Sequence, residues 1–276
     1  MDLVGKSCLL TGCASGIGRR MAQTLHDRGA RLTLTDVNLE SLTSQAVHAG
    51  WDRERVRLLR LDVRNPDGWE AALDEAEGAF GPLDYLMNIA GVSMGRFCHE
   101  CTPKDIDHIL DINAKGVIYG TCAGARRMVA AGRGHIVNIA SVAGFAPVPG
   151  MSLYAASKFA VRGFSLSVAG ELKERGVFLS VICPDAVDTP MLHQEALEPE
   201  ASLSFSADRI LTVEDVERAI LRAMEKKTVE VLLPGGAPKL LFRIATAWPT
   251  QLNFLMPLFH KRGKDRQAAY RAKLGG

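Results

Sequence analysis

Tyr154 and Lys158, in the run Tyr154-Ala155-Ala156-Ser157-Lys158, stand one helical turn apart, and Ser141 lies upstream at the end of an apolar, strand-like run. Side chains at that spacing share one helix face. A free phenol titrates near pH ~10 and exchanges protons poorly at neutrality, but an adjacent fixed cation favours its ionised form. Lysine would therefore turn the tyrosine into a usable acid/base. A serine hydroxyl delivered from a strand end could hydrogen-bond the same substrate oxygen and hold it against the phenol. The chemistry so described is that of an alcohol or carbonyl site. Because the Tyr and Lys spacing also arises in ordinary amphipathic helices, the reading needs a second signal.

That signal lies near the N-terminus. The apolar run Ser7-Cys8-Leu9-Leu10 leads into Thr11-Gly12-Cys13-Ala14-Ser15-Gly16-Ile17-Gly18, and helical periodicity follows from Arg19 to Arg28. Strand, glycine-rich turn and helix in succession let backbone amides approach a pyrophosphate at the positive end of the helix. Gly12, Ser15, Gly16, Ile17 and Gly18 are the residues of this turn expected at a dinucleotide. Asp36 ends the next apolar run, where a carboxylate can accept hydrogen bonds from the adenosine ribose and would repel a 2′-phosphate. Asp36 thus favours NAD, whereas Arg19 and Arg20 are the residues through which NADP could bind.

With these residues in place the chain resembles the short-chain dehydrogenase/reductase family, of the Ser-Tyr-Lys type, over roughly residues 5 to 235. The resemblance implies further roles. Asp62 and Val63, after a third strand, would sit beside the adenine. Asn88-Ile89-Ala90-Gly91 is similar to the family's Asn-Asn-Ala-Gly, so Asn88, Ala90 and Gly91 are expected at the cofactor. Asn113 matches the asparagine that holds a water in a proton relay with the lysine, and Ser141 matches the catalytic serine. Pro184, Val187 and Thr189 fall in a segment like the family's Pro-Gly-x-Val-x-Thr around the nicotinamide. The implied reaction is hydride transfer between NAD(H) and a secondary alcohol or ketone. In it Tyr154 is the general acid/base, Ser141 orients the oxygen, Lys158 lowers the tyrosine pKa and binds the nicotinamide ribose, and Asn113 supports proton exit.

Two positions depart from the family pattern. Ile89 replaces the second asparagine, removing a side-chain hydrogen bond that would brace the central strand. Asp185 replaces the glycine after Pro184, and it reads either as a solvent-facing turn residue or as a negative charge near the nicotinamide.

The elements that must position these residues follow from periodicity. Apolar runs near 7–11, 31–35, 56–61, 84–88, 135–140, 177–182 and 229–233 alternate with helical patterns near 17–28, 39–48, 67–79, 103–131, 153–175 and 213–226. Alternation of this kind implies an α/β fold with a doubly wound, seven-stranded parallel sheet, helices on both faces, Rossmann-like. Every motif above then lies at the carboxyl edge of the sheet, where such folds bind ligands. The expected organisation is one catalytic domain over residues 1–236, with a C-terminal extension over 237–276. Residues 191–211 interrupt the pattern, and the resemblance implies a substrate lid there. Leu192, Leu197, Leu203 and Phe205, with Met94, Phe97, Phe145 and Val148, would make an apolar pocket suited to a hydrophobic alcohol or ketone.

Composition bounds the rest. The 276 residues are 47% apolar, enough for one large core, and the net charge of +2 is too small to argue for nucleic acid. The cysteines read as reduced residues of a cytosolic chain, no signal peptide is expected, and no metal is expected at Cys98-His99-Glu100-Cys101. In the extension, Ile244 to Phe259 carries no charge and is followed by His260, Lys261, Arg262, Lys264 and Arg266. Two readings stand: an arm packed over the substrate pocket or against a neighbouring subunit, and a peripheral membrane contact with a basic flank. The helices near 103–131 and 153–175 are candidates for a homodimer or homotetramer interface. A rival of another class is a non-catalytic dinucleotide-sensing or scaffolding protein. A further alternative retains the cofactor for epimerisation or dehydration.

Overall fold

Leu9 and Leu10 are neighbours in sequence and fall on opposite sides of the sheet, each in a different hydrophobic cluster. The same division separates Leu86 from Met87 and Ile136 from Val137, as the two-residue period of a strand covered on both faces requires. The computed structural model describes residues 1–247, 250 and 256–274. Its strands are β1 (Ser7–Thr11), β2 (Arg31–Asp36), β3 (Val56–Arg60), β4 (Tyr85–Asn88), β5 (Gly134–Ile139), β6 (Val177–Cys183) and β7 (Glu230–Leu232). They form one seven-stranded sheet of order β3-β2-β1-β4-β5-β6-β7, parallel throughout.

One face is covered by α1 (Gly16–Asp27), α2 (Leu39–Ala49) and α8 (Val213–Lys226), which contribute Met21, Leu25, Leu42, Val216 and Ile220 to the first cluster. The other is covered by α3 (Pro66–Phe80), α5 (Gly116–Ala130) and α6 (Ser152–Lys173), through Trp69, Leu73, Met128 and Leu172. Local signals start these helices. Thr212 and Asp215 form a reciprocal capping box on α8, and Asn65 caps α3 with Pro66 at its first position. The order reverses between β1 and β4, so the ends of those strands splay to leave a crevice at the carboxyl edge.

Two stretches differ from the periodic reading. The pattern near 103–131 is a chain of three pieces: α4 (Pro103–Leu110), a π-helical turn over Asp111–Lys115, and α5. Apolar spacing continues across the junction, so periodicity alone shows no break. The widened turn holds Asn113 fully buried, and π turns of this sort recur at functional sites. Residues 191–211, read as irregular, contain the end of α7 (Pro190–Glu195) and a 3₁₀ segment over Pro199–Phe205.

The C-terminal extension supplies α9 (Ala237–Ala247) and α10 (Met256–Leu274). α10 crosses the 3₁₀ segment so closely that a Cβ on Gly263 would stand 2.2 Å from the Ser202 carbonyl oxygen. The Gln267 amide donates to the carbonyls of Glu195 at 2.9 Å and Glu198 at 2.7 Å, and Arg271 donates to Ala196. Tyr270 packs on Phe205 with ring centroids 5.4 Å apart, and Arg262 pairs with Asp208. The arm therefore lies on the 191–211 segment of its own chain. No helix among the described residues is long and apolar enough to cross a membrane. Of the uncharged stretch 244–259, Trp248, Pro249 and residues 251–255 lie outside the described residues.

Candidate active site

The glycine turn and the neighbouring strand ends build one half of a crevice. Gly12, at φ +71°, sits so near β4 that a Cβ there would lie 2.9 Å from the Ala90 Cα; a Cβ on Gly18 would lie 2.0 Å from the Gly12 carbonyl oxygen. Only glycine permits this closeness. The Thr11 hydroxyl accepts from the backbone amides of Ile89 at 3.0 Å and Ala90 at 3.1 Å, tying the turn to the end of β4. That bond supplies bracing of the kind lost with the family's second asparagine, while Ile89 itself packs against the first cluster. One Asp36 oxygen accepts from the Ala14 amide and the other from the Asn38 amide, each at 3.0 Å. Its carboxylate thus faces the glycine turn. Arg64 grips Asp62 through its guanidinium and holds that carboxyl below the usual carboxylate range. Asp36, Asp62, Val63, Ala90 and Gly91 line the cavity together with Gly12 and the residues 15–18.

Asn88, expected at the cofactor, does not line the cavity; its side chain donates to Asn138 Oδ1 at 2.8 Å and Thr121 Oγ1 at 3.2 Å. Strand alternation sends residue 88 toward α5, so it supports the strand rather than lining the cavity.

The other half carries the proton chemistry. Ser141, at the end of β5, accepts from the Ala143 amide at 3.1 Å, lies 3.3 Å from the Pro184 carbonyl, and hydrogen-bonds the Tyr154 phenol. One turn along α6, Lys158 is 5% exposed; its ammonium donates to the Ile139 carbonyl at 3.2 Å and lies 5.5 Å from the Tyr154 ring centre. Burial pushes the lysine down to about 8. The phenol shifts upward, chiefly through burial and then through the Glu195 carboxylate; Ser141 opposes this and Asp185 adds to it.

Asn113 accepts from the Val92 amide at 2.8 Å and donates to the Val92 carbonyl at 2.8 Å and to Ser157 Oγ at 3.1 Å. Ser157 in turn donates to the Tyr154 carbonyl at 2.7 Å. Sequence reasoning missed Ser157, which lies inside the Tyr-to-Lys run and gives no signal apart from its type. Asn113 does not line the cavity: its side chain ties the loop after β4 to the second turn of α6.

These two halves face one cavity of about 1240 Å³, above the usual range of roughly 300–1,000 Å³ for a single small-molecule site. There is room for a dinucleotide and a second molecule. Ser141, Tyr154, Lys158, Pro184, Val187 and Thr189 all line it. The expected apolar pocket is met only in part. Leu192, Leu203 and Val148 line the cavity, whereas Phe145 and Phe205 are buried in the core clusters. Phe97 is 43% exposed and Leu197 67% exposed; Met94 does not reach the cavity either. Met151, Phe242 and Phe259 complete the apolar wall. The last two come from the C-terminal extension, and nothing local in the sequence marks where that arm folds back.

Asp185 is not the solvent-facing turn residue it resembled. It lines the cavity half-buried, accepts from the Ala186 amide at 2.8 Å, and is pushed by burial up to about 6 from 3.8. Between those values the folded chain holds a proton that the unfolded chain releases, so stability falls as pH rises through the window and the full cost persists above it. Asp185→Asn is expected to raise the thermal midpoint at about pH 7 by several degrees and to leave it nearly unchanged at about pH 4. Melting curves at both pH values check this.

Comparison with known proteins places the chain in a family. The family model described as short chain dehydrogenase matches residues 6–200. The D-threitol dehydrogenase of Mycolicibacterium smegmatis is 38% identical over 192 residues, covering 70% of this chain and 74% of that protein. The 3-alpha-(or 20-beta)-hydroxysteroid dehydrogenase of Mycobacterium tuberculosis is 36% identical over 189 residues, 68% of this chain and 72% of that protein. Among solved structures, a short chain dehydrogenase/reductase from Burkholderia phymatum in complex with NAD superposes with a TM-score of 0.79 at 28% identity, over 93% of this chain and 96% of that one. Levodione reductase gives 0.78 at 27% identity, over 85% and 98%. The chain belongs to the short-chain dehydrogenase/reductase family.

Proposed function

We propose that this member of the short-chain dehydrogenase/reductase family is an NAD-dependent oxidoreductase that interconverts a secondary alcohol and its ketone, with an apolar substrate. One observation carries the reading: the hydrogen-bonded Ser141 and Tyr154, with Lys158, line the same cavity as the glycine turn. When bound, the dinucleotide supplies the hydride acceptor and donor. Gly12 and residues 15–18 would hold its pyrophosphate, Asp36 the adenosine ribose, Asp62 and Val63 the adenine, and Lys158 with Pro184, Val187 and Thr189 the nicotinamide end. Ser141 holds the substrate oxygen, and Tyr154 takes the hydroxyl proton as the alcohol is oxidised or returns it as the ketone is reduced.

The choice of NAD over NADP rests on charge. Asp36 lines the cavity beside the glycine turn, where its carboxylate would accept from the ribose hydroxyls and repel a 2′-phosphate. Arg20 is committed to Glu217 and Glu214 on α8, and Arg19 reaches Gln45; neither lines the cavity. Apolar preference rests on Val148, Met151, Leu192, Leu203, Phe242 and Phe259, and the steroid named for one relative is a substrate of that kind. Exposed Phe159 and Leu166 on α6 support an assembly through that helix.

Dinucleotide reduction across secondary alcohols of increasing apolar size, with NAD and NADP in parallel, tests the proposal. Expected are rates that rise with apolar size and a kcat/KM at least tenfold higher with NAD. Equal or better use of NADP would overturn the cofactor assignment. Binding of NADH with no dinucleotide reduction anywhere in the series would favour the sensing alternative.

A further inference from the structure

Two carboxyl groups that none of the steps above uses line the cavity on its substrate side. Glu195 closes α7, is 6% exposed, and hydrogen-bonds the hydroxyls of Ser93 and Ser204. Asp185 follows β6, with one carboxyl oxygen taken by the Ala186 amide and the other without a partner among the described residues. Their backbones are fixed: the Asp185 amide donates to the Leu233 carbonyl at 2.9 Å, and the Glu195 carbonyl accepts from Gln267 of α10 at 2.9 Å. Both carboxyls line the same cavity as the Tyr154 phenol, and both raise that phenol electrostatically.

The rest of this wall is apolar, through Met151, Leu192, Leu203 and Phe259. A carboxyl desolvated among such side chains is costly unless it receives hydrogen-bond donors. The protein supplies two donors to Glu195 and one to Asp185, fewer than the roughly four a carboxylate can accept, so both cavity-lining groups retain acceptor capacity. A purely hydrocarbon substrate would seal that capacity away from water unfilled, whereas a substrate carrying a second hydroxyl would fill it. Burial pushes both acids up from their ordinary values, so a neutral donor suits them better than a cation that requires both to be ionised in a dry cavity.

We propose that Asp185 and Glu195 form an acceptor subsite that selects, among apolar secondary alcohols, those bearing a second hydroxyl close to the reacting one. The inference rests on the reading of the cavity as an alcohol site and narrows its substrate class to diols and hydroxyketones. A site built to hydrogen-bond a substrate hydroxyl rejects the analogue lacking it far more strongly than an apolar pocket rejects a missing methylene.

The test is binding of cyclooctanol, its vicinal diol and its vicinal amino alcohol to the full chain loaded with NADH, followed by calorimetry. Wild type is expected to bind the diol at least about tenfold more tightly than cyclooctanol. In Asp185→Gly, which restores the residue type the family carries, and in Glu195→Met, that ratio is expected to fall toward one. NADH affinity measured in the same samples certifies that each variant is folded, and either folded variant suffices. Equal affinities in wild type, a ratio unchanged in a folded variant, tighter binding of the amino alcohol than of the diol, or binding of none of the three would overturn the subsite. Reduction of NAD with the same alcohols is measured separately. Selective diol binding without NADH formation would overturn the dehydrogenase reading and leave the subsite standing.

Discussion

Replacing Tyr154 by Phe is expected to lower alcohol-dependent NADH formation by about 10³-fold while leaving NADH affinity within a few-fold of wild type. The substitution removes one oxygen from a side chain whose ring still fills its place, so the loss is chemical rather than structural. Ser141 keeps its Ala143 amide donor and its Pro184 carbonyl acceptor, and Lys158 keeps its bond to Ile139. No other phenol lines the cavity. A factor of that size corresponds to about 4 kcal/mol of barrier. Because burial and two carboxylates raise the phenol, oxidation in the wild type should accelerate on the alkaline side of neutrality, where proton removal is easier. Steady-state rates of the variant across pH check both statements. Turnover near that of wild type would remove the tyrosine from the proton-transfer role.

Gly18→Ala should cost NADH affinity by at least about 10²-fold and stability by about 2–4 kcal/mol. The added Cβ would fall 2.0 Å from the Gly12 carbonyl oxygen and 2.7 Å from its carbonyl carbon. Both are backbone atoms, so no rotamer change relieves the overlap. The turn must open, and opening it moves Gly12 away from Ala90, against which a Cβ would already stand at 2.9 Å. The amides meant to face a pyrophosphate move with it. Gly78, with open space around its missing Cβ, is the control: Gly78→Ala on α3 should leave NADH affinity unchanged and raise stability slightly. Dissociation constants for NADH and denaturant midpoints for both variants check the prediction. Wild-type affinity in Gly18→Ala would mean that the turn does not hold the dinucleotide.

The fold was legible because it is written in short-range patterns. Strand runs such as Ser7–Thr11 and Val177–Cys183 are apolar and bounded by turn residues, and parallel pairing with right-handed crossovers leaves little choice of topology. The cavity side of the site was legible for a related reason: Gly12, Asp36 and Ser141 sit at or just past strand ends, which the sheet brings together, and Tyr154 opens the helix that follows β5. For Asn88 the motif gives a position along β4 but not the face to which the side chain turns. Helix 103–131 misled because a π turn adds one residue without breaking the apolar spacing.

The sequence by itself therefore determined the sheet, the strand-end crevice and the residue types that fill it, all consequences of periodicity and of motifs a few residues long. Only the tertiary structure decided what surrounds the reacting group. Contacts between Gln267 and Glu195, Tyr270 and Phe205, or Phe259 and the cavity join residues far apart in the chain, and no local pattern encodes such pairings. The same holds for the directions in which the pKa values of Asp185, Glu195 and Lys158 move. A side chain's ordinary pKa belongs to its type, but its shift is set by the water it loses and the charges it meets when distant segments close around it.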